Sequence, residues 1–210
     1  MEGLAAVQGE DWRTAQAAFN AVYQQVPGEL APKLALAFAC ERGGQPDVAE
    51  GLYQTCAVTD ATYVAPAAFG MARVRSARGD ALAAVQALDL VPTTSRGYTQ
   101  SRQQRVDVLL EGGTRDLQVL DQAMRTIQGA SVDMATRHRY VVRILEEALP
   151  LVTASPPRGG QRIGSYEATE TAVRDGLEQA LRALARETSD LEARVDLVNL
   201  ANSYRNWSLT

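Results

Sequence analysis

The chain has 210 residues and sets 21 Lys and Arg against 25 Asp and Glu, for a net charge of −4. That length can bury a sizeable core in one elongated domain or in one to two compact ones. The acidic balance argues against a general nucleic-acid binder or a polybasic membrane module, and no apolar run reaches the ~18 residues of a membrane span. Met1 opens into "EGLAAVQGEDW", with no basic and no long apolar leader segment. Apolar residues make up 46% of the chain and aromatics 6%, with Ala and Leu dominant. Such a composition favours helices, because strands draw on β-branched and aromatic residues.

The first elements already repeat. Ala15, Phe19 and Val22 return 34 residues later as Ala49, Tyr53 and Cys56, and 35 further on as Ala84, Leu88 and Val91. A fainter fourth copy sets Leu120, Met124 and Ile127 in the same places. Each of the first three copies follows a polar turn: "QGEDW" (Gln8–Trp12), "RGGQP" (Arg42–Pro46) and "ARGDA" (Ala77–Ala81). Pro27 and Pro92 trail the first and third copies, whereas the second ends in "TDAT" (Thr59–Thr62). Period, turn, stripe and trailing Pro resemble the tetratricopeptide repeat, a pair of helices stacked on its neighbours. The small Ala lets the two helices of a hairpin approach, the aromatic fills the gap between hairpins, and Pro stops the second helix. Leu4–Val7 reads as the tail of a first helix, so the chain is expected to be a piece of something longer. By this register Ala15, Phe19, Ala49, Tyr53, Ala84 and Leu88 are buried.

Beyond Pro92 a helix is expected from Tyr98 to Glu111, with Gly112 as its stop. A second follows, capped by Thr114, with Leu117, Leu120, Met124 and Ile127 on one face and Gly129 at its end. Ser131 caps a third, which Pro150 breaks after Leu149. "TASPPRGGQRIGS" (Thr153–Ser165) reads as a Pro/Gly-rich loop. Val173, Leu177, Leu181 and Leu184 then mark an amphipathic helix. "SDLE" (Ser189–Glu192) is a capping box that opens the last helix, with Leu191, Val195 and Val198 as its apolar face. About ten helices and no strand result. The fold class is all-α, a superhelix of tetratricopeptide hairpins closed by a C-terminal helix pair. The expected division is helical repeats over 1–152, the loop over 153–165 and capping helices over 166–210.

Motifs for chemistry are sparse. There is no phosphate loop, no HExxH and no Gly-x-Ser-x-Gly. Cys40 and Cys56 read as reduced core thiols, since two Cys and one His cannot furnish a zinc site; neither a metal nor a cofactor is expected. His138, among Arg137, Arg139 and Arg143, lacks a partner for chemistry and reads as part of a solvated face. "PPRGGQRIG", with Gly159, Gly160, Gly164, Arg158 and Arg162, could cradle an anion, but a mobile solvated loop is the plainer reading. "NWS" (Asn206–Ser208) matches a glycosylation acceptor, which matters only after secretion. What remains is surface. The first helix of each hairpin lines the concave face, which places Phe38, Glu41, Arg42, Phe69, Arg73, Arg102 and Arg105 there. Arginines on three successive helices suit an acidic or phosphorylated partner segment.

Longer strings carry a more specific resemblance. "VPGELAPKLALA" (Val26–Ala37), "AAFGMARVRSARGD" (Ala67–Asp80), "ALDLVPTTSRGYTQSR" (Ala87–Arg102), "GLEQALRALARE" (Gly176–Glu187) and "LVNLANSYR" (Leu197–Arg205) resemble the C-terminal region of the soluble actinobacterial serine/threonine protein kinase G family. The resemblance implies a rubredoxin-like module and a kinase domain ahead of this region in the family. It also implies a cytoplasmic setting and a role in regulating glutamate and 2-oxoglutarate metabolism. None of the kinase motifs stands in this chain, so no catalytic residue carries over. The expectation is a noncatalytic interaction, regulatory and dimerisation module. Its partners would be its own kinase domain, a substrate or a regulatory protein, with a homodimer possible and no nucleic acid. The alternative is a free-standing tetratricopeptide adaptor or chaperone cofactor that binds peptide segments.

Overall fold

The computed structural model describes residues 2–112, 116–155 and 159–206. Eleven helices and one two-stranded hairpin are found among them. The chain falls into two compact units, Met1–Gln104 and Arg105–Thr210.

The first unit is a run of helices, each packed on the next: α1 (Glu2–Gln8), α2 (Trp12–Gln25), α3 (Leu30–Arg42), α4 (Pro46–Thr59), α5 (Ala61–Ala77) and α6 (Ala81–Asp89). α3 also touches α5, which is the contact a stacked hairpin array requires. The repeating stripe is its core. Ala15, Ala49 and Ala84 are wholly buried, as are Tyr53, Leu88, Cys56 and Val91 to within a few per cent. The first copy is looser: Phe19 is half-buried, and Val22 is 44% exposed. Phe19 is covered by α1, where a Cβ on Gly3 would stand 2.7 Å from its ring. Both cysteines are free and buried, and burial pushes both thiols up from their ordinary range.

The three repeat turns share one backbone solution. Residues Glu10, Gly44 and Gly79 hold φ of 56°, 77° and 78°. In each turn the following amide reaches back to close a six-residue ring: Asp11 to Ala6, Gln45 to Cys40 and Asp80 to Arg75, at 2.8, 2.8 and 3.0 Å. These are Schellman caps, and the left-handed position suits Gly because no Cβ meets the carbonyl. Asp11 and Asp80 then cap the next helix, accepting from the amides of Thr14 and Ala83, while Pro46 opens α4. Where the second copy lacks its Pro, Asp60 ends α4 and caps α5, so a single residue turns the chain.

α7 (Tyr98–Glu111) spans the boundary between the units, and the second unit continues with α8 (Leu117–Gly129), α9 (Met134–Ala154), β1 (Arg162–Ile163), β2 (Tyr166–Glu167), α10 (Glu170–Glu187) and α11 (Leu191–Tyr204). α9 packs on α8 and α10, and α10 on α11. Leu120, Met124, Ile127, Ile144, Leu145 and Leu177 form its buried centre.

Several sequence expectations need correction here. Pro150 does not break α9, which runs on to Ala154. Its missing donor costs one backbone bond, and the burial of Ala148 and Val152 on either side offsets that loss. α9 is capped by Asp133 rather than Ser131, and α11 by Asp190 rather than Ser189, because each aspartate reaches the first free amides. Thr114 lies outside the described residues; Asp116 caps α8. The end of the expected loop, from Arg162 on, is not solvated loop. It forms the antiparallel hairpin Arg162↔Glu167, Ile163↔Tyr166, with Ile163 wholly buried. The Gly164 amide donates to the Asp121 carboxylate at 2.7 Å, and Gln128 donates to Ser165 at 2.8 Å. Arg158 is outside the described residues. Finally, α11 turns a different face inward: Ala201 is buried and Leu197 and Tyr204 pack on the core, whereas Leu191 is 67% and Val195 49% exposed.

Candidate functional site

In the first unit, helical spacing builds an apolar cleft. Ala31, Leu34, Ala35 and Phe38 recur at i, i+3, i+4 and i+7 along α3 and so share one face. Tyr63, Pro66, Phe69 and Arg73, at i, i+3, i+6 and i+10, likewise share one face of α5, and the two rows enclose a cleft of about 440 Å³. Its floor is the ring of Tyr53, the aromatic of the second repeat, coming from α4.

That floor depends on a glycine. A Cβ on Gly70 would lie 2.3–2.5 Å from the outer carbons of the Tyr53 ring. Only a residue without a side chain lets α5 close down over the aromatic. The ring is 1% exposed, so its hydroxyl must find a partner. It donates to Glu41 Oε2 at 2.6 Å, and Arg73 clamps the same carboxylate through Nε at 2.7 Å and Nη2 at 2.8 Å. Burial, and then the hydrogen bond and charge of Glu41, hold the phenol protonated far above its ordinary range. The Glu41 hydrogen bond likewise raises Arg73. The polar end of the cleft is thus a fixed donor–acceptor set in which the phenol keeps its proton and the guanidinium its charge.

Glu41 is 12% exposed and Arg73 47%. The carboxylate is therefore spent within the protein, while the half-exposed guanidinium makes no hydrogen bond through Nη1 among the described residues. An apolar trough that ends in an exposed Arg can hold aliphatic or aromatic side chains and orient one acceptor.

Of the residues singled out from the register, Phe38, Glu41, Phe69 and Arg73 come together at this cleft. Arg42 joins them indirectly: it lies 5.3 Å over the Trp12 ring, which meets Phe38 edge-on at 6.0 Å. Arg102 is engaged elsewhere. It stacks on Tyr98 at 4.9 Å, pairs with Asp89 at 2.8 Å and donates to the Leu88 carbonyl at 2.6 Å, closing the end of α6. Arg105 belongs to the second unit and donates to Thr126 at 2.6 Å. Tyr53, Leu34, Tyr63 and Pro66 were not anticipated as site residues. The α3 stripe was legible, and a repeat aromatic that happens to be Tyr rather than Phe signals a polar partner nearby.

The amino-acid sequence is similar to that of known proteins. The protein kinase G tetratricopeptide repeat family model matches residues 1–208. The serine/threonine-protein kinase PknG of Mycolicibacterium smegmatis is 36% identical over 203 residues, covering 94% of this chain and 26% of the kinase. That of Mycobacterium leprae is 34% identical over 198 residues, with 93% and 26% covered. The chain therefore spans about a quarter of the length of these relatives. The crystal structure of MamA aligns with a TM-score of 0.47 at 14% identity, covering 96% of this chain and 93% of that one. Among the described residues, no helix is long and apolar enough to cross a membrane. The chain belongs to the protein kinase G tetratricopeptide repeat family.

Proposed function

We propose that this chain is the noncatalytic docking and regulatory part of a serine/threonine protein kinase. Its α3–α5 cleft seats an apolar segment of the same polypeptide's kinase portion. One observation carries the reading: an apolar trough, floored by Tyr53, that ends in the half-exposed Arg73. The occupant it suits is a segment with aliphatic or aromatic side chains and one carboxylate, which takes the free edge of the guanidinium. The length of the relatives supports a source within the same chain, since about three quarters of each kinase lies outside the matched part. A tethered segment also has a high effective concentration, so even weak contacts hold it. Dimerisation, a cytoplasmic setting and a link to glutamate and 2-oxoglutarate metabolism follow from the family resemblance and complete the proposal.

The test begins with the reading frame around this chain. Kinase motifs there support the proposal, and a frame without them favours the free-standing adaptor. Overlapping peptides from that kinase portion are then titrated against the chain by fluorescence anisotropy. At least one should bind, and Phe69→Ala with Arg73→Ala should weaken it about tenfold or more. Equal affinity for that variant overturns the assignment of the cleft.

A further inference from the structure

The second unit carries a surface that the α3–α5 cleft does not use. Between α10 and α11 a groove of about 350 Å³ is lined by Arg182, Ala185, Arg186, Arg194 and Val198. Arg182 is held by Glu178 and by the Asn202 side chain, both at 2.8 Å. Arg186 and Arg194 make no ion pair or side-chain hydrogen bond among the described residues. A chain of net charge −4 therefore concentrates three guanidinium groups on one groove and gives them a single carboxylate.

The rest of α11 explains why these charges stay uncompensated. Glu192 and Asp196 stand two residues either side of Arg194, about 200° around the helix. Asp190 is occupied as the helix cap, accepting from the Glu192 amide. Between the Arg edge and the acidic edge run Leu191, 67% exposed, and Val195, 49% exposed. An apolar row of that kind, left open beside unpaired arginines, is the composition of a docking site rather than of a solvated face.

We propose that the α10–α11 face docks an acidic amphipathic protein segment. Its aliphatic row covers Leu191 and Val195, and its carboxylates meet Arg186 and Arg194. Charge complementarity selects this occupant. An anionic bilayer would be repelled by Glu192 and Asp196, which flank the same apolar row. Nucleic acid asks for a longer basic track with aromatic platforms, and this groove has neither. A second copy laid antiparallel along α11 would set the Arg edge against its own counterpart.

The probe is a fluorescein-labelled helical peptide of Glu and Leu, with Leu at every third or fourth position, titrated against the 210-residue chain. It should bind, and Arg186→Glu with Arg194→Glu should weaken it by about tenfold or more, as should raising the salt. Leu191→Ser with Val195→Ser should weaken it while leaving the salt dependence intact. All four positions are exposed or rim the groove, so each variant should keep the parent melting temperature, which circular dichroism checks. Four results overturn the proposal: no binding to millimolar peptide, equal affinity for a peptide with Gln in place of Glu, unchanged affinity in the Arg variant, or displacement of the peptide by duplex DNA. A loss of concentration-dependent mass in the Arg variant by sedimentation would assign the face to a second copy instead, and would also overturn it.

Discussion

Replacing Gly70 by Ala perturbs the cleft at its most constrained point. In a helix interior this change ordinarily stabilises by about 0.5–1 kcal/mol, because Gly loses more backbone freedom on folding. Here the new Cβ would stand 2.3 Å from Tyr53 Cζ and 2.4–2.5 Å from its two ε carbons. The ring is 1% exposed and pinned by its 2.6 Å bond to Glu41, so it cannot step aside freely. Either α5 shifts, at about 1–3 kcal/mol for overpacking, or the hydroxyl leaves its carboxylate, at a similar cost for a charge-assisted bond. Set against the ordinary gain, the net expectation is a loss of about 1–2 kcal/mol.

A second variant separates this argument from a general intolerance of the position. The clashing atoms all belong to the outer half of the ring, which Leu lacks. In a Tyr53→Leu background, Gly70→Ala should therefore be harmless or stabilise by about 0.5–1 kcal/mol, reversing its sign. Urea unfolding followed by Trp12 emission, in a Trp207→Phe chain, reports on the first unit, because Trp12 packs against Phe38 at 6.0 Å. Additive costs in the two backgrounds, or a neutral Gly70→Ala in the parent, would refute the close approach of α5 over Tyr53.

The repeat turns predict a matched series: Glu10→Gly should stabilise by about 0.5–1 kcal/mol, and Gly44→Ala or Gly79→Ala should destabilise by as much, since all three sit at positive φ and nothing crowds the glycines. Calorimetric melting of the three variants checks the sign of each. Asp121→Ala leaves the Gly164 amide without its carboxylate and should cost about 1–3 kcal/mol, with faster hydrogen exchange at the β1–β2 hairpin and none at α3 or α4. Asp11, Asp60 and Asp133 are held below the ordinary 3.8, Asp11 and Asp133 chiefly by hydrogen bonds involving Thr14 and Thr136 and Asp60 by the Thr62 amide. A depressed folded value means that their contribution is present above the unfolded pKa and is lost as pH falls through the lower, folded one. Melting temperature should thus fall below about pH 4, and less steeply in the triple Asp→Asn variant; parallel curves would exclude the caps as the cause.

The periodic part of this fold was readable because every repeat must bury the same positions against its neighbours. Ala15, Ala49 and Ala84 are wholly buried, and a small residue at that place in each hairpin lets its helices approach, so the spacing survives in the letters themselves. The turns were readable as turns, yet the third left-handed site was hidden, because Glu10 occupies it at φ 56° where the other copies hold Gly. The second unit was harder, for a physical reason. Its hairpin is fastened by single long-range bonds, Asp121 to Gly164 and Gln128 to Ser165, whose partners lie 43 and 37 residues apart. Composition alone reads "RGGQRIGSYE" as loop, and only the pairing of Ile163 with the core reveals otherwise. The face of α11 was misread for a related cause. Leu191, Val195 and Val198 make a legitimate apolar stripe, and so do Leu197, Ala201 and Tyr204; a helix with two such stripes gives no sign of which its neighbour will take.

The same ambiguity separates the two proposed binding surfaces. At the α3–α5 cleft the register placed Phe38, Glu41, Phe69 and Arg73 on one concave face and offered the arginine to a partner. The structure commits Glu41 to Tyr53 and Arg73, leaving one guanidinium edge free. A charge pair at 2.7 Å with one member 12% exposed is held mainly by geometry that the buried phenol supplies, and Tyr53→Phe tests that dependence. Phe keeps the ring under Gly70 but leaves one Glu41 oxygen with only Arg73 as a donor, so stability should fall by about 1–2 kcal/mol. The Arg73 guanidinium should at the same time become more mobile, with weaker discrimination between acidic and neutral peptide partners. An unchanged preference for acidic peptides in Tyr53→Phe would show that Arg73 needs no such support, and that the polar end of the cleft is built by the ion pair alone.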